Sequence, residues 1–408
     1  MEQSDGYGPV MALTVSLILA VCGSLRDWVS PAGYWAAWGA WAVLALAVTW
    51  HVRDARARIR PPGGVMASYA VLVVGMLLSA AFNHDGVSAY QAAKIAVIAL
   101  LFMVMWRLVL CLQWRHLVTA MQWAMAAVLV GLMVSRFWNP TGHVLQEGAR
   151  EGSFLAVYGV LWKAGAFFLP VFLADAVETP AAWVRHGVMV AACVFVVLID
   201  GSRTGLLLVA ATGIGFVVFL LWRGGWGVLR RLRWLGAALA VLLVLQILNA
   251  GSVGGLFTTR LGAGDPERLK LLHASLQQVV PCQPLGCGFG KTGTAIADVP
   301  LMAVHNAYLA ALGDFGVLGL VGMLGFLAAA VWPVVRVLRV GDRSAQGLFV
   351  VATAGSAVAY GMALMLNTFT TEMSEWGFLI VMLAFAWAPG RGVSFLLRGE
   401  DVGDGQKE

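Results

Sequence analysis

Long apolar stretches recur along this chain, and they restrict its fold more than any other feature of the sequence. A stretch of about 17–25 apolar residues is long enough to cross a lipid bilayer as a helix. We predict about twelve such helices, at residues 8–24, 34–51, 65–83, 90–110, 118–135, 154–176, 184–200, 205–222, 234–250, 315–338, 347–369 and 376–390. The sequence therefore predicts an all-α integral membrane protein.

Composition agrees with this and excludes other classes of protein. Of the 408 residues, 60% are hydrophobic and 12% are charged, whereas a typical soluble domain has roughly 25% charged residues. A soluble protein of this length needs far more polar surface to cover its core. The composition therefore excludes a water-soluble enzyme, a disordered chain and a nucleic-acid binder. The pI of about 9.2 reflects the cations that membrane proteins collect on one side.

The lysines and arginines predict the orientation of the helices. Seventeen of them fall in one set of loops and in the C-terminal tail, and eight fall in the opposite loops. By the positive-inside rule the first set is cytoplasmic, and so are both termini. We expect residues 1–250 to hold nine spans and 251–314 to form a large periplasmic segment with interfacial helices. Residues 315–392 then hold the last three spans, and 393–408 are a short cytoplasmic tail.

The first candidate site is residues 200–205 (DGSRTG), between the seventh and eighth predicted spans. The pattern indicates a tight turn in which Gly201 or Ser202 caps the next helix. Arg203 then lies at the N-terminus of that helix, where the helix dipole disfavours a cation. A bound anion would resolve this conflict. The alternatives are that Arg203 reaches the membrane interface or pairs with Asp200.

The second candidate site opens the large periplasmic segment. Residues 265–268 (DPER) are a typical helix start, with Asp265 as N-cap and Pro266 at the first helical position. Leucines recur at helical spacing after them, which predicts an interfacial helix. Arg268 in the first turn and Arg260 before it are candidate anion ligands, with a solvated surface as the alternative.

The third candidate site is His305, in residues 304–308 (VHNAY). We expect a short helix here and then a break at residues 313–316 (GDFG), before the tenth span. His305 would lie at the outer membrane interface, where a histidine is well placed to gain or lose a proton near neutral pH. The alternative is a structural histidine.

The sequence offers no motif for a metal or a nucleotide. Its outer loops have no metal-ligand spacing, and the glycine-rich residues 286–290 (GCGFG) follow no strand, so we interpret them as turns. We therefore expect no metal and no cofactor, with arginines binding the anion. Lys94 and Lys163 lie in or at the ends of spans and are candidate cavity cations.

These motifs, in this order, resemble the O-antigen ligase family and its wider polymerase-like superfamily of lipid-donor glycosyltransferases. The resemblance rests on residues 201–205 (GSRTG), Arg268, residues 284–290 (PLGCGFG) and residues 305–309 (HNAYL), and it covers about 195–320. It implies a GT-C-like helical fold in the bacterial inner membrane, with the active site facing the periplasm.

The resemblance also implies a reaction. The enzyme would transfer a glycan from undecaprenyl pyrophosphate to a sugar hydroxyl of lipid A–core, in lipopolysaccharide biosynthesis, without a metal and with inversion. Carried over by position, Arg203 and Arg268 would bind the pyrophosphate and His305 would be the essential histidine. Arg260 and Arg136 match the family less clearly.

Other functions stay open. An O-antigen polymerase would use a second lipid-linked glycan as the acceptor, and a protein O-oligosaccharyltransferase would use a protein. A polyprenyl-glycan transporter is the non-enzyme alternative, although the chain has no internal repeat that we can detect and its outer cations concentrate on one face.

Two of the five cysteines, Cys282 and Cys287, lie in the large periplasmic segment. An oxidising periplasm favours their pairing. Pro284 and Gly286 between them suit a turn that brings the two thiols within disulfide range. We therefore expect a disulfide here, and two free thiols are the alternative.

Overall fold

Eleven α-helices make up most of the part of the chain that this computed structural model describes. That part consists of residues 7–50, 60–135, 137–138, 146–147, 150–156, 159–224, 273–277, 279–292 and 305–388. The helices are α1 (Tyr7–Val21), α2 (Leu25–Trp50), α3 (Gly63–Asn83), α4 (Gly86–Leu110), α5 (Trp114–Ser135), α6 (Trp162–Glu178), α7 (Trp183–Asp200), α8 (Arg203–Gly224), α9 (Ala307–Val340), α10 (Ala345–Ala363) and α11 (Met373–Trp387). Two short strands, β1 (Gln146–Glu147) and β2 (Arg150–Glu151), form an antiparallel hairpin.

Eight of these helices are long and apolar enough to cross a membrane: α2 to α5 and α7 to α10, with α7 and α10 counted together with an adjoining 3₁₀ turn. Helices α1 and α11 are apolar but shorter, at 15 residues each. These lengths and compositions indicate an α-helical, multi-pass membrane protein, as the sequence predicts. The number of twelve spans stays a prediction, and the predicted span at 234–250 lies outside the described residues.

Three helix boundaries differ from the predicted spans, and polar side chains set two of them. Helix α6 begins at Trp162 rather than at residue 154, since the Asp200 carboxylate accepts the N–H groups of Gly159 and Trp162. Helix α9 begins early, at Ala307, where the Asn306 side chain caps it. Helix α10 ends at Ala363, and the chain is non-helical from residue 367 to α11.

Helix α6 lies at the centre of the bundle. Nearly all of its residues are buried, and it packs against α7, α8 and α10. Helices α3 and α9 pack in antiparallel fashion, since Gly75 faces Gly319 while Leu72 faces Gly322 and Ser68 faces Gly325. The start of α9 therefore lies at the same end of the bundle as the end of α3.

We call this end the His305 end; it holds residues 22–24, 84–85, 201–202, 279–292, 305–306 and 364–372. The opposite end holds residues 111–113, 179–182 and 341–344. At the His305 end, residues 279–292 dock against the first turns of α9. The N–H groups of Cys287 and Gly288 donate to the carbonyls of Gly313 and Asp314, at 2.8 and 3.0 Å.

Helix α9 breaks where the sequence predicts, at Gly316. This residue has a φ of 70° and a ψ of −164°, outside helical geometry. Its Cα lies against the backbone of Pro284, whose carbonyl oxygen accepts the N–H of Val317 at 3.1 Å. Any side chain at residue 316 would be strained by the positive φ and would overlap the Pro284 carbonyl.

We expect Gly316→Ala to undock residues 279–292 and to lower the melting temperature in detergent. The positive φ alone costs an alanine about 1–2 kcal/mol, before any overlap with Pro284. Gly213→Ala is the matched control, because Gly213 lies inside α8 with nothing within 4 Å of the added methyl group. A melting temperature equal to that of the Gly213→Ala control would contradict this account of the break.

Candidate functional site at the His305 end

His305 lies directly before the cap of α9, on the part of the chain that docking of residues 279–292 holds in place. The Asn306 carboxamide accepts the N–H groups of Tyr308 and Leu309 at 3.1 and 3.0 Å, which fixes where the helix begins. The histidine is half-buried and its Nδ1 atom is buried. One edge of the ring therefore faces protein.

Asp314 is the residue that holds residues 279–292 against α9. Its carboxylate is buried and accepts the N–H groups of Gly290 and Thr292, at 2.8 and 3.1 Å, together with the hydroxyl of Thr292. Gly286, Gly288 and Gly290 all have positive φ, so the predicted interpretation of 286–290 as turns is confirmed. Sequence reasoning treated residues 313–316 only as a break and missed this anchor.

Asp85 supports the same loop from the side of α4. Its carboxylate caps α4 and accepts the Ser88 hydroxyl and the N–H groups of Val87 and Ser88. These bonds, the Ser88 hydroxyl first, hold the pKa of Asp85 below its ordinary value. The Ser88 hydroxyl in turn accepts the N–H of Phe289 at 2.7 Å, so an ionised carboxylate helps position the loop.

A disulfide joins Cys282 and Cys287 inside the docked loop, with their Cα atoms 5.1 Å apart. The other three cysteines form no disulfide: Cys22 and Cys193 are buried, and Cys111 is half-buried. The disulfide closes the turn whose backbone contacts Gly313 and Asp314. It therefore braces the same stretch of loop that supports the start of α9.

Arg203 is the first residue of α8, as the sequence predicts. Gly201 ends α7 in the left-handed conformation, and the Ser202 hydroxyl accepts the N–H of Gly205 at 3.2 Å. Arg203 is half-buried and forms no hydrogen bond or ion pair with any other described residue. The pairing with Asp200 that we considered from the sequence is absent, because Asp200 instead caps the turn before α6.

An apolar groove begins beside Arg203 and follows α8 along its length. It has a volume of about 720 Å³ and is lined from Thr204 to Trp222 on α8, by the C-terminal half of α9, by α10 and by Pro170 of α6. Leu207, Val218 and Met362, which line it, are more than half exposed. A cation without a partner among the described residues thus lies at one end of an apolar groove.

Lys94 and Lys163, the candidate cavity cations, are both paired with carboxylates at the start of α11. Lys94 Nζ lies 2.6 Å from Glu372 Oε1. Lys163 is almost completely buried and pairs with Glu375, which also accepts the hydroxyl of Tyr360. The sequence analysis missed both glutamates. Two features could have indicated them: the polar residues at 370–375, and the two lysines in spans, which each need a carboxylate partner.

A narrow cavity of about 30 Å³ lies between the Glu375 network and the first turn of α9. Its lining includes Tyr308, three residues after His305, together with Tyr360, Thr370 and Glu375. Because this volume suits one or two water molecules rather than a sugar, the cavity is not a substrate site. It does place the polar network beside the first turn of α9.

Three predicted site residues, Arg136, Arg260 and Arg268, lie outside the described residues. Within the described ranges, Arg203 and His305 lie at the same end of the bundle, on the starts of α8 and α9. In those ranges no group of three or more His, Cys, Asp or Glu side chains has the arrangement of a metal site.

We expect Glu375→Ala to destabilise the protein strongly, because it leaves the Lys163 ammonium buried without a partner. Removing one member of a buried pair costs about 3–5 kcal/mol. The double variant Lys163→Met/Glu375→Leu should recover most of this loss, measured as the melting temperature in detergent. Arg26→Ala, which breaks the exposed Arg26–Asp27 pair, should change it little. A Glu375→Ala protein as stable as Arg26→Ala would contradict the assignment.

Alkylation of the denatured protein tests the disulfide. Without reductant we expect three labelled cysteines by intact mass, and with reductant five, since Cys282 and Cys287 are bonded. In a Cys287→Ser variant, four cysteines should label without reductant. Five labels in the denatured, unreduced wild type would show that Cys282 and Cys287 are both thiols.

Neither the family models nor the curated proteins that we compared with this chain match it. Its function therefore has to be inferred from the residues at the His305 end and from the groove beside Arg203.

Proposed function

We propose that this chain is a glycosyltransferase of the O-antigen ligase type, which uses a glycan linked to undecaprenyl pyrophosphate as donor and lipid A–core as acceptor. The active site is the His305 end, facing the periplasm of a bacterial inner membrane. One observation carries the proposal: Arg203, with no partner among the described residues, lies at the end of a long apolar groove. A ligand that fits both features has an anionic head and an apolar tail.

The length of the groove supports a lipid tail. Its α8 wall runs from Thr204 to Trp222, which is about 27 Å at 1.5 Å per residue. This length is close to the hydrocarbon core of a bilayer, about 30 Å. An isoprenoid chain along this wall would bring its pyrophosphate to the N-terminus of α8. There the positive end of the helix dipole and the Arg203 guanidinium both favour an anion.

The chemistry follows from this placement. The acceptor hydroxyl attacks the anomeric carbon of the first donor sugar, and the bond from that carbon to the pyrophosphate oxygen breaks with inversion. His305 accepts the hydroxyl proton, a role worth about 10²–10⁴-fold in rate. Arg203 stabilises the negative charge that develops on the departing pyrophosphate. Arg268, Arg260 and Arg136 are proposed to add to this binding, and the reaction is proposed to need no metal.

The two lysines have a different role in this proposal. Lys94 and Lys163 are neutralised by Glu372 and Glu375, so they are poor ligands for a second anion. We assign them to holding α4 and α6 against the start of α11. The pyrophosphate site then depends on arginines alone.

We expect purified protein to join an undecaprenyl-pyrophosphate glycan to lipid A–core in the presence of EDTA. His305→Ala should lose nearly all product, and Arg203→Ala should lose most of it, while Arg203→Lys recovers only part because the guanidinium fork is lost. Arg26→Ala is the control, since it removes an exposed arginine from the same end. Product from folded His305→Ala at the wild-type rate would refute the general base.

A groove variant tests the lipid site separately. Gly355 lines the groove and has nothing within 4 Å of an added Cβ atom, so Gly355→Leu should fill the groove without strain and weaken donor binding. Gly213→Leu, also in open space but outside the lining, is its control.

If a second lipid-linked glycan replaces lipid A–core as the acceptor in this assay, the enzyme is a polymerase of the same superfamily.

A further inference from the structure

A second polar pocket lies at the opposite end of the bundle, between the start of α5, the end of α6 and the start of α7. It has a volume of about 340 Å³, and its lining includes Arg115, Gln122, Asp175 and Arg185. No part of the proposed glycosyl transfer uses it. Two of these four side chains are arginines on different helices, and each is held by a different partner.

Arg185 is held by a buried carboxylate. Its Nη2 donates to Asp175 Oδ2 at 3.0 Å, and the Asp175 side chain is 4% exposed. The other oxygen of Asp175 accepts the Thr179 hydroxyl at 3.1 Å, and His186 Nδ1 lies 3.3 Å from Oδ2. Both carboxylate oxygens are therefore engaged within the protein. The Arg185 guanidinium, which lines the pocket with a side chain 48% exposed, keeps its remaining N–H groups for a ligand.

Arg115 is held by an aromatic ring. Its guanidinium lies 5.2 Å from the ring centroid of Trp114, an arrangement that restrains the side chain without using its N–H groups. Trp114 is itself stacked on Phe349 of α10, with the ring centroids 4.0 Å apart. The pocket therefore presents two anchored guanidinium groups and one carboxylate that Arg185 neutralises, so its charge is positive.

The surroundings of the pocket suit a lipid. Trp183 and Val184 begin α7 beside Arg185 and are 56% and 57% exposed. Exposed tryptophans at the ends of membrane helices are typical of the level of the lipid headgroups. A phosphate in the pocket would thus have apolar side chains next to it, along which acyl chains can lie.

We propose that Arg115 and Arg185 bind the phosphate of an anionic phospholipid at this end of the bundle. Basic pockets between membrane helices bind such headgroups, and here the Asp175 carboxylate and the Trp114 ring pre-position the two cations. The Gln122 carboxamide, also in the lining, supplies a neutral donor. This site is independent of the proposed glycosyl transfer, and it does not depend on which reaction the His305 end performs.

Native mass spectrometry of the full-length protein in neutral detergent tests the proposal, with phosphatidylglycerol as the probe and phosphatidylcholine as the zwitterionic comparison. We expect the wild type to retain phosphatidylglycerol preferentially. Arg115→Gln should weaken that binding about fivefold, the loss expected for one cation near a membrane surface. Arg115→Gln/Arg185→Gln should weaken it further. Arg339→Gln is the matched control, because Arg339 is an exposed arginine over Trp332 near the same end, outside the pocket.

If loss of Arg185 unfolds the protein, Arg115→Gln alone still tests the proposal, since the Arg115 substitution leaves the Asp175 bonds intact. Equal phosphatidylglycerol binding in wild type, Arg115→Gln and Arg339→Gln would overturn the proposal. Displacement of the lipid by millimolar inorganic phosphate would also overturn it, because the pocket would then be a site for a free anion. Failure here leaves the ligase assay unchanged, so the two results can be told apart.

Discussion

The structure of the His305 end depends on hydrogen-bond donors for its carboxylates. An ionised or polar group in an apolar bundle must find donors, because leaving it bare costs several kcal/mol. Asp200 takes two N–H groups from the turn before α6, and Asp314 takes three donors from residues 290–292. Glu375 takes the Lys163 ammonium and the Tyr360 hydroxyl. Each carboxylate thereby fixes one connection between helices.

The Asp200 anchor shows why the sequence predicts a helix more readily than it predicts where that helix begins. Apolar length alone predicts a span wherever hydrophobic residues continue, and eleven of the twelve predicted spans coincide with a described helix. The start of α6 depends instead on a distant carboxylate that accepts its backbone N–H groups. Residues 154–161 are apolar, yet they lead into a turn because Asp200, about forty residues later, caps that turn.

The candidate site, too, could be predicted only in part from the sequence. Arg203 and His305 could be assigned to one end from the sequence, because alternate spans run in opposite directions. The partners of Lys94 and Lys163 could not, since Glu372 and Glu375 lie 278 and 212 residues away along the chain. Sequence periodicity shows that a lysine lies in a helix but does not show which helix packs against it.

The difference between the lysines and Arg203 has a consequence for any anionic substrate. Lys94 and Lys163 form ion pairs with carboxylates, which holds α4 and α6 to α11. These pairs leave little net charge at the start of α11. Arg203 has no such partner among the described residues, and the N-terminus of α8 adds its partial positive charge to that of the guanidinium. A guanidinium and the positive end of a helix dipole therefore lie together beside the groove. An anion bound beside Arg203 lies at the same end of the bundle as His305. Different carboxylates position the helices that carry these two residues.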